Sequence, residues 1–322
     1  MQDKTLWQAQ NGRTPAPLLY NPISRHYRER FGQKVYKIPV SVATTCPNRE
    51  GLRGMKTCNF CDAWGSSAYP DLQGQNLREQ IRESRQRVLR RINCAKFLVY
   101  FQAYTTTFAR VVQLREQMGM ALAEPDIVGV VIGTRPDCIS DALFDLLREY
   151  SEKTYVAVEY GVQSFDEQQL VWMRRGHTAA RSIAAIERTR AEVPNLHIGI
   201  HLIFGLPNES DDDIRHAAEI SNRLPIDDVK LHNLHILVNT PLAEEYTAGQ
   251  FSPVSLEEYA RRVTLYLQHL GAGIFVHRLS ALSSRHDELV APKWTAQKMA
   301  SYQFILDHMR SRGAHQGQLH HA

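Results

Sequence analysis

Short apolar runs rich in Val, Ile, Phe and Tyr recur along the chain. Between them lie longer stretches in which apolar residues return every three or four positions. The runs at 35–44 (VYKIPVSVAT), 97–103 (FLVYFQA), 127–133 (IVGVVIG), 154–160 (TYVAVEY), 197–205 (HIGIHLIFG) and 229–237 (VKLHNLHIL) predict strands. The stretches at 76–93, 107–122, 140–151, 166–173, 178–192 and 211–223 predict helices. Strands that alternate with helices imply a parallel sheet, and right-handed crossovers curl it into an open barrel. Functional groups are then expected at the C-terminal strand ends. Further on come helical patterning at 255–270, a short strand at 274–277 and a helix near 295–311. The chain thus divides into a basic lead-in (1–34), a barrel (35–250) and a C-terminal extension (251–322) whose tail, RGAHQGQLHHA, is expected to fray.

Composition adds few constraints. Of 322 residues, 43% are hydrophobic and 22% charged, as in globular domains. No apolar run approaches the roughly 20 residues of a membrane helix, and the first residues have no apolar core of a signal peptide. Five cysteines, an odd and low number, argue against a disulfide framework and point to a reducing cytoplasm, with no membrane partner. A net charge of +4 permits a nucleic-acid partner without demanding one.

The chemistry is concentrated in CPNREGLRGMKTCNFC, directly after the first predicted strand. Cys46, Cys58 and Cys61 are spaced C-x11-C-x2-C, with Phe60 between the last two. Thiolates suit soft cluster iron, so three of them can hold three irons of a [4Fe–4S] cluster and leave the fourth open to a ligand. A zinc site completed by a histidine, or three buried thiols, are the other readings of the same residues.

Three further motifs sit at predicted strand ends: GTRPD at 133–137, VEYGVQSFDEQQLVWMRRGH at 158–177 and HLIFGLPNE at 201–209. Together with the cysteines they resemble the radical-SAM superfamily, with relatives in the Elongator catalytic subunit and oxygen-independent coproporphyrinogen oxidase branches. The long cysteine loop, YFQAYT after the second strand and KLH…TPLA at the sixth resemble the YtqA/YhcC-like group. The resemblance implies an α/β fold, an incomplete (β/α)6 barrel with a helical C-terminal extension. It implies a [4Fe–4S] cluster and S-adenosylmethionine (SAM) as cofactors, with Cys46, Cys58 and Cys61 as iron ligands. It also implies reductive cleavage of SAM to a 5′-deoxyadenosyl radical, and an unidentified low-potential electron donor.

By the same resemblance Gln163 and Arg175 bind SAM, Arg175 at the methionine carboxylate, a task that suits a guanidinium fork. Glu159 is expected to accept from ribose hydroxyls, or to belong to a structural ion pair. Gly205 is expected to admit backbone close to adenine, and Glu209 to start the next helix electrostatically. The chain departs from its relatives in three places. Gln102, Ala103 and Tyr104 replace a glycine-rich turn, Gly133 replaces an acid before TRPD, and His201 replaces an aspartate and is a candidate proton donor. Cys138 is a candidate hydrogen donor or a small buried residue. Lys230 and His232 share a face of the sixth strand with His235 opposite, and Cys94 is structural.

The segment 77–93 carries Arg78, Arg82, Arg85, Arg87, Arg90 and Arg91 around an apolar stripe of Leu77, Ile81, Val88 and Ile92. It is either a phosphate-binding face or a solvated one. The resemblance points to tRNA wobble-uridine side-chain modification, for example processing of a 5-carboxymethylaminomethyl group toward 5-aminomethyl. The chain ends too early for the acetyltransferase domain of an Elongator subunit, so that chemistry is not expected. A small-metabolite substrate and a non-enzymatic zinc module are the alternatives.

Overall fold

A computed structural model describes residues 18–283 and 285–321. Residues 1–17 of the lead-in lie outside the described residues. The strands are β1 (Val35–Val40), β2 (Lys96–Phe101), β3 (Ile127–Thr134), β4 (Tyr155–Gln163), β5 (His197–Phe204), β6 (Asp228–Asn233), β7 (Ile236–Leu237), β8 (Phe275–Val276) and β9 (Leu289–Ala291). The helices are α1 (Ile23–Phe31), α2 (Leu77–Leu89), α3 (Val111–Leu122), α4 (Asp141–Ser151), α5 (Glu167–Trp172), α6 (Ala179–Glu192), α7 (Asp211–Arg223), α8 (Pro241–Thr247), α9 (Leu256–His269) and α10 (Lys298–Ser311).

The main sheet runs β1-β2-β3-β4-β5-β6-β8 and every pair in it is parallel. It is an α/β half-barrel, as expected, but with seven strands rather than six. The two-residue β8 joins because Asp228↔Phe275 and Val229↔Val276 pair, a length too short to carry a periodicity. The predicted sixth strand, 229–237, splits: β6 stays in the barrel and β7 pairs antiparallel with β9. The predicted first strand ends early, at Val40, and Pro39 is tolerated there because β1 is paired on one side only.

The pleat sorts the side chains onto two faces. Phe97, Val99 and Phe101 of β2, with Val156, Val158 and Tyr160 of β4, pack outward into the large core beneath the helices. Leu98, Tyr100, Tyr155 and Ala157 point inward and meet Ile23 and Tyr27 of α1. The lead-in is therefore more than a basic tail: α1 presents two apolar side chains to the barrel floor. The tail is not frayed either. Ala314 is buried, Gln316 donates its backbone N–H to Leu19 at 2.9 Å, and Leu319 donates to Gln268 at 2.8 Å. Its polar residues satisfy backbone groups rather than bury apolar area, which is why hydrophobic patterning does not reveal it.

Candidate active site

All three motif cysteines line one cavity of about 520 Å³ at the C-terminal ends of the strands. Cys46 and Cys58 are buried, Cys61 is partly exposed, and none is in a disulfide. Asn48 fixes the loop that carries them, donating to Lys56 O at 2.7 Å and Arg174 O at 2.6 Å. Asn59 donates its side chain to Trp172 O at 2.9 Å and its backbone N–H to Met173 O at 3.3 Å. The loop is thus fastened to the segment that follows α5. Gly176 permits that approach: it has a φ of 71°, and a Cβ there would lie 2.2 Å from Met55 Sδ. From the other side Arg285 pairs with Asp62, which also accepts from the Trp64 N–H at 2.8 Å.

Arg135 of the TRPD motif joins these parts. It is 4% exposed and donates to both oxygens of Asp137 at 2.8 Å, to Arg175 O at 2.8 Å and to Asn48 Oδ1. The motif marks its position in sequence, but its role as a tie between two loops depends on partners 87 and 40 positions away. Asp62, Arg278 and Arg285 carry no sequence signal of their own.

The donor set fits an iron–sulfur cluster. Arg175 Nη1 lies 3.4 Å from Cys58 Sγ and Arg49 Nη2 lies 3.6 Å from Cys61 Sγ, so guanidinium donors face two of the three sulfurs. Burial, with Cys58 beside it, pushes the Cys61 thiol up to about 11. That thiol needs a metal to hold it as a thiolate. Among the described residues no three His, Cys, Asp or Glu side chains are gathered around a point that could hold a single ion. A cuboidal cluster asks instead for one thiolate per iron.

Gln163 and Arg175 stand side by side in the same cavity. Gln163 has a φ of 72°, and its amide has no hydrogen-bond partner among the described residues. Arg175 donates to Gly161 O at 2.7 Å, and its Nε is buried without a partner among the described residues. A Cβ at Gly161 would lie 2.7 Å from Gln163 Nε2 and 3.4 Å from Arg175 Nη2. Glycine therefore keeps an amide and a guanidinium together where a carboxylate could be held. Across the cavity Ala103 and Tyr104 take left-handed φ values of 78° and 51°. The QAY turn thus adopts a backbone shape that glycine favours, without a glycine.

Other expectations change. Both oxygens of Glu159 are engaged, by Lys37, by Lys230 at 3.0 Å and by His201 at 2.7 Å, so it is a member of an ion cluster rather than a free acceptor for ribose. Burial would raise its carboxyl, but Lys230 and Lys37 overcome this and hold it well below the usual range. His201 is pushed down to about 4 by burial and by Lys230. At neutral pH it is a neutral imidazole bonded to Glu159, not a ready acid. Gly205 does not line the cavity: its φ is 89°, and a Cβ there would meet Val254 at 2.8 Å, so it serves packing of the extension. Glu209 is buried, pairs with Arg262 of α9 at 2.6 Å and accepts from the Gly205 N–H at 2.8 Å. It ties the barrel to the extension. Cys138 is not among the cavity-lining residues, and burial beside Asp137 pushes its thiol up to about 12. Cys94 is buried in the outer core. Lys230, His232 and His235 all line the cavity, because the chain leaves the sheet after Asn233.

Of the arginines on α2, Arg78 faces Glu124, Arg87 pairs with Asp71, and Arg85 donates to Pro125 O at 3.2 Å. Arg82 and Arg90 are exposed. Arg91, beyond the helix end, borders the cavity with Tyr36, Tyr69 and Lys298 beside the terminal strand β1. This segment is therefore closer to the site than its place before β2 suggests.

Comparison with known proteins agrees with this geometry. Residues 40–220 match the family model described as the Radical SAM superfamily, and residues 226–311 match the Radical_SAM C-terminal domain. The chain is 32% identical to YtqA of Bacillus subtilis over 92% of both chains. It is 36% identical to YhcC of Escherichia coli over 86% of this chain and 87% of that one. The fold is similar to the archaeal Elp3 of Methanocaldococcus infernus with an N-terminal deletion. That match has a TM-score of 0.66 and 15% identity, and covers 88% of this chain and 64% of the other. Members of this family bind a [4Fe–4S] cluster and SAM, and the three cysteines line the same cavity as Gln163 and Arg175. The chain belongs to the radical-SAM superfamily of enzymes.

Proposed function

We propose that this enzyme acts on a wobble-uridine side chain of tRNA. The observation that carries the reading is the lining of the cavity, which joins the three cysteines to Arg91, Lys298, Tyr36 and Tyr69. Arg82 on the adjoining helix and Arg90 at its C-cap are exposed. A polyanion lying along these arginines can place one nucleotide beside Tyr36 and Tyr69, the latter with the Arg87 guanidinium over its ring at 4.7 Å. The resemblance to the Elongator and YtqA-like branches supports the same substrate class.

With cluster and SAM bound, the pair would supply one-electron reductive cleavage of SAM, fed by an external low-potential electron donor, and through it hydrogen-atom abstraction from substrate carbon. The chain's own residues position and shield. Cys46, Cys58 and Cys61 would hold three irons, Gln163 and Arg175 would hold SAM, and the Asp62–Arg285 pair closes the cysteine loop. The test is the rate of 5′-deoxyadenosine formation by reconstituted protein with and without tRNA lacking the modification. The expected result is stimulation by tRNA, with weaker binding and a salt slope reduced by about one per lost phosphate contact when Arg82, Arg90 and Arg91 are changed to Gln. Equal rates with and without tRNA would turn the reading toward a small metabolite.

A further inference from the structure

Below the cysteines the barrel interior carries more positive than negative charge. Among the described residues seven Lys and Arg side chains line the cavity against two carboxylates, Asp62 and Glu159. Asp62 belongs to Arg285. Glu159 is shared by Lys37 and Lys230 and also accepts from His201. Arg278, just after β8, has no carboxylate within ion-pair distance among the described residues. Its Nη2 lies 2.6 and 2.9 Å from the two ring nitrogens of His232, and its Nε donates to Leu231 O at 3.3 Å. Its Nη1 makes no hydrogen bond among the described residues and is not sealed from the cavity. The nearby histidines do not add compensating charge: burial, with Arg278 or Lys37 alongside, holds His232 and His277 neutral.

Lys37, Lys230 and Arg278 thus face a single carboxylate, a surplus of two positive charges in a partly desolvated space. Keeping such charges apart from anions is costly unless an anion is to be received there. A guanidinium with a free donor and an ammonium beside it match an oxyanion. We infer that Arg278 and Lys230, with His232 orienting the guanidinium, form a receptor for an oxyanion carried by the substrate, a carboxylate or a phosphate. Arg175 lies with the cysteines and Gln163, whereas Arg278 is reached from β6 and β8, so the two guanidinium sites are separate in the fold.

The receptor itself does not depend on tRNA being the substrate; the choice of uridine probes rests on the proposed function. Calorimetry on the reconstituted, SAM-loaded full chain would compare three nucleosides: 5-carboxymethylaminomethyluridine, 5-aminomethyluridine and uridine 3′-monophosphate. The expected result is binding of one anionic probe at least tenfold tighter than the aminomethyl nucleoside. Which anion gains identifies carboxylate or phosphate as the source. Arg278→Gln should abolish that preference and Arg278→Lys should keep part of it. Propionate and inorganic phosphate at matched ionic strength are added as probes without a base. If they raise the unfolding temperature of the wild type but not of Arg278→Gln while no nucleoside binds, the receptor stands and the uridine reading falls. If neither the nucleosides nor the small anions show an Arg278-dependent preference, the receptor is refuted, whatever tRNA does to SAM cleavage.

Discussion

Replacing Arg135 separates the role of the TRPD motif from general stability. The side chain is 4% exposed and donates to Asp137, Asn48 and Arg175 O. Arg135→Gln leaves Asp137, itself only 19% exposed, without its counter-ion, and strands two further acceptors. Breaking a buried pair this way costs about 3–5 kcal/mol. Arg135→Lys retains a charge near Asp137 but cannot fork, and should lose about 1.5–3 kcal/mol. The control is Arg190, which also gathers several carbonyls, Pro194 O at 2.7 Å and Leu196 O at 2.8 Å among them, but at the N-terminal ends of β5 and β6. Urea unfolding gives the stability of each variant, and iron and sulfide per folded chain give cluster loading. Both Gln variants should unfold earlier, while only Arg135→Gln should load less cluster and bind SAM more weakly. Equal loading in the two variants would refute the claim that Arg135 sets the cysteine loop against the segment that carries Arg175.

Gly176→Ala should destabilise more than Gly32→Ala. Both positions have left-handed φ values, 71° and 67°, worth about 1–2 kcal/mol, but only at Gly176 would the new Cβ collide with Met55. Equal losses in thermal unfolding would show that the loop gives way freely. Cys46→Ala, Cys58→Ala and Cys61→Ala should each abolish the iron–sulfur absorbance, and Cys94→Ala should keep it; retention in any of the first three removes that residue from the ligand set. Burial, eased by Glu159, lowers the Lys230 ammonium to about 8, so the preference for an oxyanion should weaken as pH rises through 8 and then level off, because Arg278 stays charged. Glu159, Tyr100, His201, His232 and His277 face the same space, and none of them is shifted to a value near 8. A preference unchanged between pH 7 and 9 would take Lys230 out of the receptor.

The elements that carry the barrel were legible because their strands are buried on both faces and read as apolar runs, with capped amphipathic helices such as α7 between them. That Cys46, Cys58 and Cys61 meet Gln163 and Arg175 in one cavity was legible from cysteine spacing and motif order. The β8 strand was read as a short strand, but its place as a seventh member depends on pairing partners near position 228 that no local pattern encodes. The ion cluster was hidden for the same reason: Lys37, Tyr100, Glu159, His201 and Lys230 come from five strands, and each alone looks like an isolated polar residue in an apolar run. Gly205 was misread because a glycine's close approach can serve either side of the chain, and here Val254 occupies that side.

The contact between Asp62 and Arg285 joins residues 223 positions apart. At roughly 5–20 residues per second, a ribosome making this chain delivers Arg285 on the order of ten to forty-five seconds after Asp62. Through that interval the thiols already exist but the residue that closes over them does not. A nascent barrel therefore offers an uncovered cradle to whatever carries iron and sulfide. Closure waits for a residue 223 positions further along the chain, so the order of translation itself favours filling the site before it is shut.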